Sequence, residues 1–181
     1  EMVIRDWSSD VCSSDLDVNV TLLSRNPAEF AARAPHLAAR FHCIRGDVLD
    51  FAPPTGAFTH IIHAATDASA ALNAQDPRRM FDTIVQGTRN ALDLAVACGA
   101  QRVLFLSSGA VYGAQPGDVA HLRENWQGAP DPLDPRSAYG EGKRAAEMLC
   151  AIYGKQFGLD VVGARIFALL GPLLSLDIHF A

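Results

Sequence analysis

Tyr139 and Lys143 stand four residues apart in Tyr139-Gly140-Glu141-Gly142-Lys143, near the start of a predicted helix. That spacing puts both side chains on one helix face. An ammonium held beside a phenol stabilises the phenolate, so the pair could take a proton from a hydroxyl and return it. Alone the pattern is weak, because a tyrosine packed on a sheet beside a solvated lysine would read the same way. A hydroxyl-bearing stretch, Ser107-Ser108-Gly109-Ala110-Val111-Tyr112-Gly113, follows an apolar run. A serine there could donate a hydrogen bond to a carbonyl oxygen whose charge is changing. The plainer alternative is a strand end that satisfies its own backbone.

Apolar runs and amphipathic runs alternate along the chain and must position these groups. The pattern predicts strands over 17–24, 41–44, 59–65, 101–107 and 160–167. It predicts helices over 27–40, interrupted near Pro35, over 76–98 before Gly99, and over 137–157 before Gly158. Residues 113–136 form a long Gly/Pro/Asp-rich loop, and loops of that length inside a domain are usually functional. The strands are mostly apolar on both faces, as in a parallel sheet covered by helices on both sides. Right-handed crossovers then give an α/β fold with a doubly wound, Rossmann-like parallel sheet. Such sheets bind ligands at the carboxyl ends of their strands. Ser24-Arg25, Asp47, Ala64-Ala65, Ser107-Ser108 and Phe167 all fall at those ends.

Taken in order, the pieces carry more than any one of them. A strand, Ser107-Ser108 with Val111-Tyr112-Gly113, a long loop, the Tyr139/Lys143 helix, a strand, then Arg165, Phe167 and Gly171-Pro172 follow one another. From Asp17 to about Pro172 this resembles the extended short-chain dehydrogenase/reductase family, the NAD-dependent epimerase/dehydratases. The resemblance implies an oxidoreductase or epimerase acting on a nucleoside-diphosphate sugar with NAD or NADP. It implies Ser108, Tyr139 and Lys143 as catalytic residues, Tyr139 as acid/base and Lys143 also on the nicotinamide ribose. It places Asp47 and Val48 at the adenine, Ala64 and Ala65 close along the cofactor, Ser107 beside it and Phe167 near the nicotinamide. A homodimer through the 76–98 and 137–157 helices is implied as well. A cofactor-sensing module without catalysis, and a 4,6-dehydratase or decarboxylase, stand as alternatives.

Bulk properties narrow the classes. The 181 residues suffice for one domain, and 49% are hydrophobic. A net charge of −5 argues against a nucleic-acid surface. No apolar run is long enough for a membrane span. Cys12, Cys43, Cys98 and Cys150 are scattered without a CxxC pair, and read as reduced thiols of a cytoplasmic protein. The six histidines show no metal spacing, and His60 and His63, three apart on a strand, point to opposite faces.

Several features depart from the family. Residues 1–16 show no helix or strand period and resemble a translated sequencing adapter. They read as a leader without function, ahead of a dinucleotide-binding domain over 17–172 and the start of a truncated substrate region over 173–181. The family's first strand and its glycine-rich G-x-x-G-x-x-G turn, which cradles pyrophosphate at a helix N-terminus, are then missing, since the first glycine is Gly46. The expectation is a gap in the middle of the sheet and loss of tight cofactor binding and activity. Ser24-Arg25 stands where NAD-specific members carry an acid, a pairing better suited to a 2′-phosphate. Gly109-Ala110 lacks the acid expected of dehydratases and decarboxylases, and Ile84 and Ala168 replace asparagines common in the family.

Overall fold

The computed structural model describes residues 2–4, 18–66 and 70–168. Most of the 1–16 leader, Cys12, Gly171-Pro172, His179 and the 173–181 segment lie outside the described residues. Strands β1 (Met2–Ile4), β2 (Thr21–Ser24), β3 (His42–Arg45), β4 (His60–His63), β5 (Arg102–Ser108) and β6 (Asp160–Ile166) form one sheet. The order is β3-β2-β1-β4-β5-β6, with every pairing parallel. This is the doubly wound arrangement, with its switch point between β1 and β4.

The predicted gap is not there. Met2–Ile4 pairs with β2 on one side and β4 on the other, Ile4 lying opposite Leu23 and His63. The first strand therefore comes from the segment read as a leader. Three apolar residues are too few to show a period, yet they suffice for a short central strand whose backbone groups pair on both sides. The glycine-rich turn is a different matter: residues 5–20, which join β1 to β2, contain no glycine.

Helices α1 (Pro27–Arg33) and α2 (Pro35–Ala38) break at Ala34, as the proline requires, and Asn26 caps α1 by accepting from the Glu29 amide. Helix α3 (Ala70–Gln75), which the periodicity did not reveal, precedes α4 (Pro77–Ala97). The long helix α4 buries Met80, Thr83, Ile84, Gly87, Thr88, Ala91, Leu92 and Ala95, a stripe at helical spacing. Helix α5 (Ala138–Phe157) packs against it and ends at Gly158, whose φ of 70° is the left-handed cap that glycine favours. At their crossing, a Cβ on Gly142 would lie 3.2 Å from Ile84 Cδ1, so a glycine lets the larger Ile84 fill the contact. Leu23, Ile61, Ile84, Val103 and Phe105 anchor the core between sheet and helices.

Helix α4 opens at Asp76, whose carboxylate accepts from the Arg79 amide at 3.0 Å. Asp76→Ala leaves that amide without its cap. Urea unfolding should show a loss of about 1 kcal/mol; an unchanged midpoint would mean the first turn is held by packing alone.

Candidate active site

Lys143 lies within the apolar stripe of α5 and is only 4% exposed. A buried ammonium requires compensation, and strand β5 supplies it. Lys143 Nζ donates to the Leu106 carbonyl at 2.8 Å and sits 5.0 Å from the centroid of the Phe105 ring. Tyr139, one turn earlier on the same face, is half-buried and packs on the core cluster. The α5 cap position, Ser137, makes no side-chain capping bond. Asn73 of α3 takes over: it accepts from the Tyr139 amide at 3.1 Å and donates to the Arg136 carbonyl at 2.8 Å. The turn that carries Tyr139 is thus pinned from a neighbouring helix.

Ser108 ends β5 and caps a short 3-10 turn over Gly109–Tyr112 by accepting from the Ala110 amide at 3.2 Å. That local bond uses the oxygen and leaves the hydroxyl proton available to a substrate. Ser107 is buried and donates to Glu147 Oε1 at 2.6 Å. Its hydroxyl proton is therefore committed to Glu147, leaving its oxygen able only to accept. Glu147 continues the stripe of Tyr139 and Lys143 by one more turn. It accepts two bonds from Arg165, Nε to Oε1 at 2.9 Å and Nη2 to Oε2 at 2.7 Å. Burial pushes the Glu147 carboxyl up, but the bonds from Arg165 and Ser107 outweigh it and hold it below the usual range.

Arg165 also donates to the Glu124 carbonyl at 2.9 Å and lies 4.7 Å from the centroid of the Tyr112 ring. Phe167 is 63% exposed, stacks on Tyr112 and covers Gly109, where a Cβ would come within 2.5 Å of the ring. Arg144 reaches the carbonyls of Val111 and Gly128. The long loop is therefore stitched to the end of β5 by two arginines.

The remaining residues singled out in the sequence line the same carboxyl edge. Ser24 is buried at the end of β2 and accepts from the Asn26 amide at 3.1 Å, with Arg25 exposed just beyond. Asp47 follows β3 and accepts from the Leu49 amide at 2.9 Å. Val48 turns its side chain into the core, while its carbonyl takes a bond from Asn90 at 2.8 Å. Ala64 and Ala65 follow β4 at the switch point, Ala64 buried. The structure brings Lys143 onto β5, and Ser108, Gly109 and Phe167 into one cluster; Ser24 and Asp47 stand at the ends of the adjacent β2 and β3, and Ala64 follows β4 on the other side of β1.

The sequence reading missed Asn73, Glu147 and the part played by His63. His63 is buried at the end of β4, its Nε2 3.0 Å from Thr88 Oγ1 and its ring stacked on Phe105. Burial, and then the charge on Lys143, push its pKa down to about 3. The spacing of Glu147 from Lys143 on one helix stripe was a usable signal. Asn73 and His63 gave none, because their partners are remote in sequence.

Among the described residues no group of histidine, cysteine, aspartate and glutamate could hold a metal, and no helix is long and apolar enough to cross a membrane. Cys43, Cys98 and Cys150 are free thiols, and burial pushes that of Cys150 up to about 12.

Comparison with known proteins gives consistent matches. Residues 11–179 match the NAD dependent epimerase/dehydratase family. UDP-glucuronic acid decarboxylase 6 of Arabidopsis thaliana is 38% identical over 139 residues, which cover 76% of this chain and 39% of that protein. The structure of the Thermus thermophilus UDP-glucose 4-epimerase in complex with NAD superposes with a TM-score of 0.62 at 27% identity, covering 81% of this chain and 46% of that one. The DesIV dTDP-glucose 4,6-dehydratase double mutant of Streptomyces venezuelae, with NAD and DAU bound, gives a TM-score of 0.66 at 26% identity, covering 81% and 45%. The chain thus spans less than half the length of these relatives.

Proposed function

The chain belongs to the NAD dependent epimerase/dehydratase family, and from that premise we propose that it carries the proton-transfer half of an enzyme acting on a nucleoside-diphosphate sugar. The observation that carries the reading is the buried Lys143 ammonium, fixed on β5 one helical turn from Tyr139. In this reading Tyr139 takes the proton of a sugar hydroxyl, Lys143 stabilises the phenolate, and Ser108 donates to the same oxygen. NAD or NADP, when bound, supplies the hydride acceptor.

The residues fit one end of that cofactor. Ala64 and Ala65 leave room at the switch point, and Tyr139, Lys143 and Ser108 border the place of the nicotinamide; Phe167 would stand at its edge. Asp47 and the Val48 backbone would serve the adenine, and Ser24-Arg25 its ribose, with Arg25 favouring NADP. The pyrophosphate end does not fit. Residues 5–20 contain no glycine, the residue type that lets a backbone pass close to phosphates at a helix N-terminus. Titrating the 181-residue chain with NAD+ or NADP+ should therefore show no saturation in the micromolar range. A low-micromolar Kd would overturn this account of the grip.

The test of the function itself is a chimera. Residues 17–168 are joined to the N-terminal and C-terminal regions of the Arabidopsis thaliana UDP-glucuronic acid decarboxylase 6 that lie outside the match. Turnover of a nucleoside-diphosphate sugar is the expected result; a folded chimera that binds NAD yet converts none would overturn the reading. Within the class, the absence of an acid at Gly109-Ala110 favours epimerisation or ketone reduction. The 38% identity to a UDP-glucuronic acid decarboxylase supports a second reading, decarboxylation. Release of carbon dioxide from a nucleoside-diphosphate uronic acid separates the two. A non-catalytic sensor of the cofactor is less well supported, since it needs no buried lysine beside a tyrosine. The free thiols accord with a cytoplasmic setting. Phe81 on α4 and Met148 and Ile152 on α5, exposed apolar side chains, suit a homodimer through those helices.

A further inference from the structure

We propose that His63, locked by Thr88, is a positioning residue for Lys143, which it serves by fixing Phe105 as the aromatic floor beneath the ammonium. Three contacts form a continuous path. Thr88 Oγ1 donates its one proton to the Ile84 carbonyl at 2.7 Å, so toward His63 it can only accept. His63 Nε2 therefore carries the ring proton, and Nδ1 is left as a bare lone pair, buried with no partner among the described residues. The ring orientation is set by that single bond and by stacking on Phe105, 5.7 Å between centroids. Phe105, paired with His63 across β4 and β5, in turn lies 5.0 Å below Lys143 Nζ. Lys143 donates to the carbonyl of the next residue, Leu106. If Phe105 could rotate, the ammonium would keep that carbonyl but lose its aromatic support.

An apolar side chain could fill the place of His63, but it would have no bond to hold its orientation. Neutrality matters equally. A charged imidazole would put a second cation against the ring that supports the first, and burial and Lys143 both oppose that charge. His63 is on this reading a fixed neutral spacer. Its bearing on catalysis rests on the proposed role of Lys143, but its geometry can be tested apart from that role.

The chain contains only two lysines, Lys143 and the exposed Lys155, so selective lysine labelling gives two resolvable NMR spin systems. The Lys143 Hε protons should be displaced upfield of those of Lys155 by the ring current of Phe105, and Phe105→Leu should abolish the displacement. Thr88→Val and His63→Leu should collapse most of it, while Tyr139→Phe should leave it intact. Long-range 1H–15N correlation should show His63 as the Nε2–H tautomer, without titration between pH 5 and 8. An Nδ1–H tautomer, a His63 that titrates in that window, or a Lys143 shift unmoved by Thr88→Val would overturn the proposal. The wild-type tautomer decides even if a variant fails to fold. A Tyr139→Phe chimera that retains full turnover would sink the catalytic reading and leave the positioning result standing.

Discussion

Tyr139→Phe in the chimera should lower kcat by about 10²–10⁴-fold, the usual contribution of a positioned acid/base, with cofactor affinity unchanged. The substitution is clean because the ring is retained. Tyr139 packs on the core through its ring and is pinned through its backbone amide by Asn73, and neither contact involves the hydroxyl. Lys143→Met would be a poorer test. It removes the Lys143 bond to the Leu106 carbonyl and the cation over Phe105, so it disturbs the packing of α5 on β5 as well as the chemistry. Ser108→Ala similarly removes the acceptor for the Ala110 amide and loosens the turn beneath Phe167. A loss in Tyr139→Phe thus reports the phenolic proton, whereas the other two mix chemistry with folding. Steady-state rates and a separate cofactor titration decide it: equal turnover removes Tyr139 from the mechanism.

The alternation of elements was legible because each long element carries its own period. The stripe of α4 and the apolar run of β5 are local properties of the chain, and their observed ends fall within a few residues of the predicted ones. Helix α3 was not legible, because it spans under two turns and only Asp76 separates it from Pro77. Strand β1 was hidden for a similar reason: three residues acquire meaning only when β2 and β4 flank them. At the site, Tyr139, Lys143 and Ser108 stood out because their residue types and spacing are unusual together. Glu147 was within reach of the same logic, one turn beyond Lys143, although its partner Arg165 lies on another element. Asn73 and His63 act through contacts with residues 66 and 25 positions away along the chain. Nothing in their local sequence announces those contacts.

Glu147→Ala should be the most destabilising single change at the site. It removes the acceptor of Ser107 and of both Arg165 donors, and leaves the exposed Arg165 guanidinium facing no carboxylate. Breaking a fully buried pair costs about 3–5 kcal/mol and a surface pair less than about 1. The side chains here are 24% and 33% exposed, so a loss of about 2 kcal/mol is expected at pH 7. The pH dependence fixes the sign independently. The folded Glu147 carboxyl lies below its usual range, so the folded state binds its proton less tightly than the unfolded chain, whose glutamate titrates near about 4.3. The stabilisation is therefore complete above that value and is lost as pH falls through the lower, folded one. Urea midpoints measured from pH 7 down to pH 3 should fall more steeply for wild type than for Glu147→Gln, which keeps acceptor and donor groups but cannot titrate. Because the Glu147–Arg165 pair also holds Arg165 over Tyr112, and Tyr112 holds Phe167 over Gly109, the loss should extend to the strand end that presents Ser108. Parallel acid limbs for wild type and Glu147→Gln would mean that the carboxylate does not hold β5, α5 and β6 together, and the clamp would have to be sought among the apolar contacts beneath it.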